Sequence, residues 1–413
     1  MSTSYKTLAR LFHADRSNDS YANHSALAKQ RLEADSTYRT GIVTTMGELF
    51  IAMPRELVSQ LAAVLLAERK VSEQWNQIPG VMQWNYINHA VSEELLATNE
   101  MEGVRSTRKE VEDAVIAARG KQQGAKGEDV RFNEFAKLYL NLTNRSMSLP
   151  RTLEDIRFIY DQIALDEVEP NDRPDGELFR KKGVEIQGAH GEVVHSGVDG
   201  EARINALLTE MMRFAESAAM PSALSAIAAH FLFEYIHPFY DGNGRTGRYL
   251  LALYLNRDFT LPTVLSLSRV IAENKSKYYR AFSEAEDKLN CGEMTFFAQT
   301  MIGLISQAQQ ELIDELGVKV DMLRKAGDQC GRLAEQHGLS QHAGDLLFQI
   351  MQEELFDTYK AVSLEDAAAN LHLSKQSARK YVDELARAGL IAFAGRRPLR
   401  MRASQALLGS MDR

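Results

Sequence analysis

Residues 237–248, HPFYDGNGRTGR, impose a sharp turn between two helical segments. Before the turn, apolar side chains recur at helical spacing and predict a buried helix that contains Leu224, Ile227, Ala228, Phe231 and Tyr235. Pro238 cannot continue the hydrogen-bond ladder of that helix, so the chain must change direction at His237. A second helix is predicted from about Gly244 to Arg257. Polar residues therefore stand at a fixed place between two core helices.

The turn carries groups that bind phosphate. Gly242, Asn243 and Gly244 can direct consecutive backbone N–H groups toward one point, and the N-terminus of the second helix adds its partial positive charge. Arg245 and Arg248 lie three residues apart, on one face of that helix. Together these groups predict a site for a polyphosphate chain. Taken singly, each has a structural alternative: a common glycine turn, or arginines that pair with surface acids.

Two further residues of the turn suit chemistry on a bound phosphate. Asp241 offers carboxylate oxygens, the ligand type that Mg²⁺ prefers. His237 carries an imidazole whose ordinary pKa suits a general base. Because a single histidine at a helix end is more often structural, this interpretation depends on the whole cluster.

Composition and charge limit the function classes. The 413 residues suffice for two or three domains, and a net charge of −8 confines any nucleic-acid contact to a local basic patch. The two cysteines argue against a disulfide framework and favour a reducing compartment. We find no signal peptide, and the longest apolar stretch, residues 223–239, is too short and too polar to cross a bilayer. We expect a cytoplasmic protein without a membrane partner.

The last part of the chain predicts a separate module. A helix over residues 344–356 is followed by two helices that begin at Ser363 and Ser374, and then by two strands around Gly395. That order resembles a winged helix-turn-helix domain. The basic candidates for DNA contact are Lys375, Arg379, Lys380, Arg396 and Arg397. Binding of a protein is the open alternative.

The segment HPFYDGNGR, with Arg248 three residues later, resembles the Fic-domain signature His-Pro-Phe-x-(Asp/Glu)-Gly-Asn-Gly-Arg-x-x-Arg at every defined position. A looser resemblance runs from about Tyr38 to Gln309. It implies a mainly α fold: a Fic-type helical core with a small β-hairpin flap, followed by the C-terminal winged helix-turn-helix domain. The expected limits are 1–110 for an N-terminal helical region, 111–310 for the catalytic core, 311–340 for a helical linker and 341–413 for the C-terminal domain.

Most proteins with this signature are adenylyltransferases, so the resemblance implies transfer of AMP from ATP to a Ser, Thr or Tyr hydroxyl of a target protein. His237 would deprotonate the hydroxyl, and Asp241 would hold Mg²⁺. The phosphates would be held by Gly242, Asn243, Gly244, Arg245 (the β-phosphate) and Arg248 (the γ-phosphate).

A β-hairpin is predicted from Val184 to Val194, the one convincing β signal before the C-terminal module. The resemblance identifies it as the flap on which a target segment docks as an extra strand, through Val184, Ile186 and Val193. An ordinary hairpin is the alternative.

The segment KYYRAF is similar to the family's adenine-side tyrosines, so Tyr278 or Tyr279 is a candidate nucleoside contact. Some members carry an asparagine seven residues after the second tyrosine, where this chain has Glu286.

Residues 98–103, TNEMEG, resemble the family's inhibitory motif, Ser/Thr-x-x-x-Glu-Gly/Asn, on a helix over about residues 92–103. The resemblance implies that Glu102 pairs with Arg248, with Thr98 and Gly103 at the other defined positions. ATP would then bind with its α-phosphate misaligned for in-line attack. In some relatives the same glutamate helps water to remove AMP, so the reverse reaction is an alternative.

A second function class stays open: a DNA-binding regulator whose Fic core binds nucleotide with little turnover. A phosphotransferase of the Doc type fits less well, because those proteins depart from the signature at its phosphate-binding positions. Transfer of another nucleotide, such as UMP, is also open. Family members often form dimers, so a homodimer is a candidate assembly.

Overall fold

The computed structural model describes residues 5–119, 130–144, 148–187, 192–356, 361–396 and 399–409. The chain divides into two compact units. The first contains Met1–Arg69 and Ile87–Glu311, and the second contains Lys70–Tyr86 and Leu312–Arg413. Each unit therefore draws on two separate stretches of the sequence.

From Leu8 to His337, the chain is mainly helical. Its first elements are, in chain order, α1 (Leu8–Ala14), α2 (Ser20–Leu32), β1 (Thr37–Thr44), β2 (Gly47–Ala52), α3 (Arg55–Trp75), α4 (Gly80–Met101), α5 (Arg108–Ala118), α6 (Asn133–Asn141) and α7 (Leu153–Ile163). After a 3₁₀ turn at Pro170–Asp172 follow β3 (Glu185–Gln187), β4 (Val193–Ser196), α8 (Glu201–Glu216), α9 (Ser222–Ile236), α10 (Asn243–Leu255), α11 (Leu261–Leu265), α12 (Leu267–Glu273), α13 (Lys275–Glu286), a 3₁₀ turn at Lys288–Asn290 and α14 (Thr295–His337). The predicted mainly helical fold is confirmed.

Helices α9 and α10 form the centre of the first unit's core. Every residue of α10 is buried, as is every residue of α9 except Ser222 and Glu234. Helix α9 packs against α8 and α10, and α10 packs against α7. Because both flanking helices are buried, the turn between them is held from both sides.

The hairpin of β1 and β2 was not expected, and the prediction of a single convincing β signal before the C-terminal module is wrong. The two strands are antiparallel, with a register shift between Arg39 and Val43. Leu49, Phe50, Ile51 and Ala52 at the end of β2 are all buried. A strand buried on both faces shows no alternation of apolar and polar residues, which is the pattern that reveals a strand in a sequence.

The predicted hairpin near residue 190 is present as β3 and β4, which are antiparallel. Its first strand begins at Glu185, so Val184 lies just outside it, contrary to the predicted limit. The carbonyl of Val184 still accepts a hydrogen bond from Gly197 N–H at 3.0 Å and extends the pairing by one contact. The predicted glycine turn, residues 188–191, lies outside the described residues.

The C-terminal stretch of the second unit is α15 (Gln341–Phe356), β5 (Val362–Ser363), α16 (Leu364–Asn370), α17 (Lys375–Arg387), β6 (Ile391–Arg396), β7 (Leu399–Ala403) and α18 (Gln405–Leu408). The strands form an antiparallel sheet in the order β5-β7-β6. The side chains of Ser363 and Ser374 cap α16 and α17. Gly395 lies within β6, at a register shift, and not in the turn between the strands.

Across the ranges described, no helix combines the length and the apolar character needed to cross a bilayer.

Glu94 fastens α4 to the rest of the first unit. Its carboxylate is buried and accepts hydrogen bonds from the Tyr139 hydroxyl at 3.0 Å, from Ser268 N–H at 3.1 Å and from the Ser268 hydroxyl. Burial raises the pKa of Glu94 to about 7, although these hydrogen bonds oppose the rise. The end of α4 is thus anchored to α6 and α12 by one titratable group.

Replacing Glu94 by glutamine is expected to remove a pH dependence of thermal stability. An acid whose pKa is raised by folding stabilises the fold when protonated, and this contribution is lost as pH rises from the ordinary value of 4.5 to about 7. Relative to Glu94→Gln, the wild type should therefore lose on the order of 1–3 kcal/mol between about pH 5 and about pH 8. Calorimetric melting curves measure the difference, and parallel pH profiles for the two proteins would contradict it.

Candidate active site

Backbone conformation and one side chain fix the turn after α9. His237 ends α9 with φ 52° and ψ 62°, in the left-handed region, and Gly242 precedes α10 with φ 82°. Asn243 closes the loop, because its Oδ1 accepts from Phe239 N–H at 2.9 Å and its Nδ2 donates to the Phe239 carbonyl at 2.8 Å. Both amide atoms of the Asn243 side chain thus stabilise the turn, so Asn243 can contact a ligand through its backbone N–H.

Arg180 holds the backbone at the end of α9. Its buried guanidinium donates to backbone carbonyls: Nε to His237 at 2.7 Å, Nη1 to Lys182 at 2.6 Å, and Nη2 to Val198 at 2.8 Å and Ile236 at 3.2 Å. The carbonyls at a helix C-terminus carry partial negative charge, which favours a cation there. A left-handed residue other than glycine costs about 1–3 kcal/mol. These hydrogen bonds therefore hold His237 in a conformation that it would not adopt alone.

His237 is neutral in this environment. Burial, with smaller contributions from His195 and Arg180, lowers the pKa of His237 to about 3. The sequence-based prediction assumed an ordinary histidine pKa, which is too high because it leaves out the desolvation of the charged ring. A neutral imidazole can accept a proton, and negative charge brought by a ligand would raise its pKa.

The lowered pKa predicts that the His237 ring stays uncharged in the free protein down to about pH 5, whereas an ordinary histidine is mostly protonated there. Nitrogen-15 NMR of the histidine rings would measure this, with the His237→Gln variant identifying the signal. Exposed histidines of the same sample serve as internal controls. A His237 midpoint near 6.5 would contradict the prediction.

Arg245 is a buried cation that forms no hydrogen bond through its guanidinium within the described part of the chain. Its side chain has no exposed surface, and its three guanidinium nitrogens have no hydrogen-bond partner among the described residues. Nη2 lies 3.7 Å from the position that a Cβ atom would take on Gly242. Burial lowers the pKa of Arg245, since the charged form lacks its hydration. A buried charge in this state is an incomplete site that an anion would complete.

Arg248 is buried but paired. Its Nε donates to Thr98 Oγ1 at 2.8 Å, and its Nη2 donates to the Thr98 carbonyl at 3.1 Å and to Glu102 Oε1 at 2.8 Å. Burial, the largest single influence, disfavours the guanidinium charge, but Glu102 together with Tyr278 and Glu234 outweighs it, so the pKa of Arg248 is raised. Thr98 and Glu102 thus converge on the arginine that the sequence motif designates.

Glu102 rests on the start of α10. A Cβ atom on Gly244 would collide with Glu102 Oε1 and lie 3.0 Å from Arg248 Nη1. Glu102 follows the last residue of α4, and Gly103 next to it has φ 70°, which glycine adopts without strain. The carboxylate therefore occupies the position at the helix N-terminus where an anion is favoured. We call Gly242, Gly244, Arg245 and Arg248 the anion cradle.

Asp241 lies on the exposed side of the turn. Its Oδ1 accepts from Gly242 N–H at 2.6 Å. An exposed carboxylate next to an anion cradle suits a hard cation that bridges to phosphate oxygens, so these residues fit Mg²⁺.

His195, which the sequence analysis did not single out, lies beside His237. Their ring centroids are 5.7 Å apart, and His195 Nδ1 lies 2.8 Å from Glu286 Oε2. His195 belongs to β4 and Glu286 ends α13, so this pair joins the hairpin to α13. The sequence marks Glu286 as a departure from the family pattern, but its partner emerges through the fold alone.

The candidates for contact with the nucleoside and with a target segment differ in how exposed they are. Tyr278 is buried and its hydroxyl bonds to His230 Nε2 at 2.8 Å, whereas Tyr279 is 42% exposed and open to a ligand. In the hairpin, Ile186 and Val193 are exposed apolar residues.

In the second unit, Lys375 pairs with Glu365 at 3.2 Å and Arg379 pairs with Asp383 at 3.3 Å, while Lys380 is exposed. Arg397 and the side chain of Arg396 lie outside the described residues.

Comparison with known proteins agrees with this geometry. Residues 150–255, which include the whole turn, match the Fic/DOC family. This part of the chain is similar to a Fic domain. Among solved structures, a Fic family protein from Desulfovibrio desulfuricans G20 shares the fold, with a TM-score of 0.51 at 19% identity over 86% of this chain and 97% of that one. The predicted Fic-type core is thereby confirmed.

Two curated relatives of the Fic domain are named adenylyltransferases. Protein adenylyltransferase Fic from Drosophila persimilis is 25% identical over 213 residues, which are 51% of this chain and 39% of the relative. A probable protein adenylyltransferase from Aquifex aeolicus is 45% identical over 62 residues, 15% of this chain and 17% of the relative. The similarity thus spans less than half the length of either relative.

Proposed function

We propose that this chain is a protein adenylyltransferase, which transfers AMP from ATP to a Ser, Thr or Tyr hydroxyl of a target protein and of itself, and that Glu102 holds it inactive. The observation that carries the proposal is the anion cradle. One of its guanidiniums has no hydrogen-bond partner among the described residues, and the other is neutralised by a carboxylate that a phosphate can replace. The names of the fly and Aquifex relatives support the same activity.

The cradle would bind the phosphates of ATP. Arg245 would pair with the β-phosphate and thereby gain the anion that it lacks. Arg248 would pair with the γ-phosphate, while the backbone N–H groups of Asn243 and Gly244 contact the phosphate oxygens. Gly244 suits this role because it has no side chain at the second position of α10, where the Glu102 carboxylate now lies against it. Gly242, whose N–H donates to Asp241, would let the phosphate approach the turn closely. Mg²⁺ held by Asp241 would neutralise charge on the phosphate oxygens.

The transfer step forms one bond and breaks one. The hydroxyl oxygen of the target bonds to the α-phosphorus, and its proton passes to His237. The bond from the α-phosphorus to the oxygen that bridges to the β-phosphate breaks, and pyrophosphate leaves. The low pKa of His237 leaves its imidazole free to accept the proton, and the bound phosphates raise its basicity. Because His237 and the cradle belong to one turn, base and phosphorus are aligned by the same backbone.

Inhibition would follow from competition for Arg248. Glu102 and the γ-phosphate need the same guanidinium, and both carry negative charge, so they exclude each other. With Glu102 in place, ATP binds with its phosphate chain displaced and its α-phosphorus out of line with the hydroxyl.

Target docking would use the hairpin of β3 and β4. Val193 is 51% exposed, and Ile186 and Val194 are also exposed. An extended target segment can pair with a free strand edge through main-chain hydrogen bonds and cover these side chains. The connection of β4 to α13 through His195 would keep the docked segment next to His237.

Intact-mass spectrometry after incubation with ATP and Mg²⁺ tests the proposal. The Glu102→Gly variant is expected to gain the mass of an adenylyl group at a rate roughly tenfold or more above the wild type, since about 1.4 kcal/mol of lost competition corresponds to a factor of ten. The double variant Glu102→Gly with His237→Ala should show no gain.

Glu100→Gly is the matched control, because it makes the same change at an exposed residue of α4. It should label like the wild type. Equal labelling of the wild type and Glu102→Gly would contradict the brake. An unlabelled Glu102→Gly protein that still binds ATP would contradict the transferase, and an adduct of another mass would identify another donor.

The second unit supports a narrower proposal. Helix, strand, two capped helices and two antiparallel strands are the elements of a winged helix-turn-helix domain. DNA binding by this unit stays a prediction, because two of its basic candidates are already paired with acids of their own unit. A homodimer, the cytoplasmic location and AMP removal likewise stay predictions.

A further inference from the structure

Tyr160 lies against the start of α10. Its buried ring stacks on Phe239, with ring centroids 3.6 Å apart and planes at 9°. From the position that a Cβ atom would take on Gly242, Tyr160 Cε2 lies at 3.1 Å and Ala164 Cβ at 2.6 Å. Because Tyr160 and Ala164 are one helical turn apart, the C-terminal end of α7 forms a wall of the anion cradle.

The hydroxyl of Tyr160 has no hydrogen-bond partner among the described residues, although it is buried. Buried tyrosine hydroxyls usually find a partner, so an unpaired one needs an explanation. Burial, and after it Asp241, raises the pKa of Tyr160. The oxygen therefore keeps its hydrogen and can donate it.

Arg245 is the second donor at Gly242 for which the described residues offer no hydrogen-bond acceptor. Its guanidinium and the Tyr160 hydroxyl are within electrostatic range of each other. A water molecule could pair with the hydroxyl but brings no charge to the guanidinium, on which Asp241, Glu102 and Glu167 act electrostatically without any hydrogen bond to it among the described residues. Glu102, the carboxylate nearest to Gly244, is held by Arg248. An oxyanion from outside the chain would satisfy both donors at once.

We propose that Tyr160 is a further phosphate-binding residue of this Fic domain, whose hydroxyl donates to an oxygen of the phosphate that Arg245 binds. This inference rests on the proposed function, which makes that group the β-phosphate, next to the phosphate that is transferred. Tyr160 then distinguishes nucleoside di- and triphosphates from monophosphates.

Tyr249 provides a matched control. Its hydroxyl is also buried without a partner among the described residues, on a ring packed against Tyr139. The pKa of Tyr249 is raised by burial, with no charged group contributing. Tyr160→Phe and Tyr249→Phe therefore remove the same atom from two buried sites. Tyr160 has an atom next to Gly242 of the cradle, whereas Tyr249, although it follows Arg248 in the chain, has its ring against Tyr139.

The experiment is calorimetric titration with ADP, ATP and AMP, each with Mg²⁺, of Glu102→Gly alone and combined with either phenylalanine substitution. Tyr160→Phe is expected to weaken ADP and ATP about fivefold, in line with the loss of one hydrogen bond to a phosphate, and AMP less than about twofold. Tyr249→Phe should change none of the three. Without nucleotide, both substitutions should leave the melting temperature unchanged or raise it, because each removes an unpaired polar atom.

The outcomes separate this inference from the proposed function. Unchanged ADP affinity in Tyr160→Phe, an equal loss for AMP, or a lowered melting temperature would overturn the role of Tyr160. The role of Tyr160 would also be overturned if the Glu102→Gly protein, the background of both substitutions, did not bind ADP. A parent that binds ADP but does not transfer AMP contradicts the transferase and leaves the comparison of Tyr160 with Tyr249 valid.

Discussion

Two arginines buried at the start of one helix determine what the first unit can do. Burying a guanidinium without an anion costs several kcal/mol in protein interiors. Arg248 meets this cost with Glu102 at 2.8 Å, whereas Arg245 has no partner within the described residues. The cradle is thus half filled by the protein's own carboxylate. A polyphosphate would complete the empty half, and in the proposed productive position it would also take the place of the carboxylate at Arg248.

The fold places His237 and the anion cradle on one rigid turn. Helices α9 and α10 are buried almost throughout, so the turn between them has little freedom. Arg180 bonds to the last carbonyls of α9 and holds His237 left-handed, on the same turn as the cradle. Neither His237, the proposed base, nor the anion cradle needs a moving segment to bring it into position. In the proposed mechanism the part that moves is Glu102, which lies just past the end of α4 and pairs with Arg248.

The sequence predicts which residues form the turn and which carboxylate lies against it. The residues and the hairpin that it does not predict were missed because they depend on packing. The residues of the turn are consecutive in the chain, so their spacing in the sequence predicts how close they lie in space. The short motif at residues 98–103 adds Glu102. Arg180, Tyr160 and His195 act through contacts with residues distant in the chain, and no periodicity marks such contacts. The hairpin of β1 and β2 was missed because β2 is buried on both faces and shows no alternation. Local pattern thus reveals the helices and the turn, while the supports of the turn follow from packing.

The central claim is that a carboxylate of the chain and a phosphate of the ligand compete for one place at the N-terminus of α10. Calorimetric titration with inorganic tripolyphosphate, which lacks a nucleoside, tests it most directly. Glu102→Gly should bind tripolyphosphate roughly tenfold or more tightly than the wild type, because about 1.4 kcal/mol of lost competition gives a factor of ten. The same affinity in both proteins would contradict the claim, since the carboxylate and the phosphate would then occupy different sites.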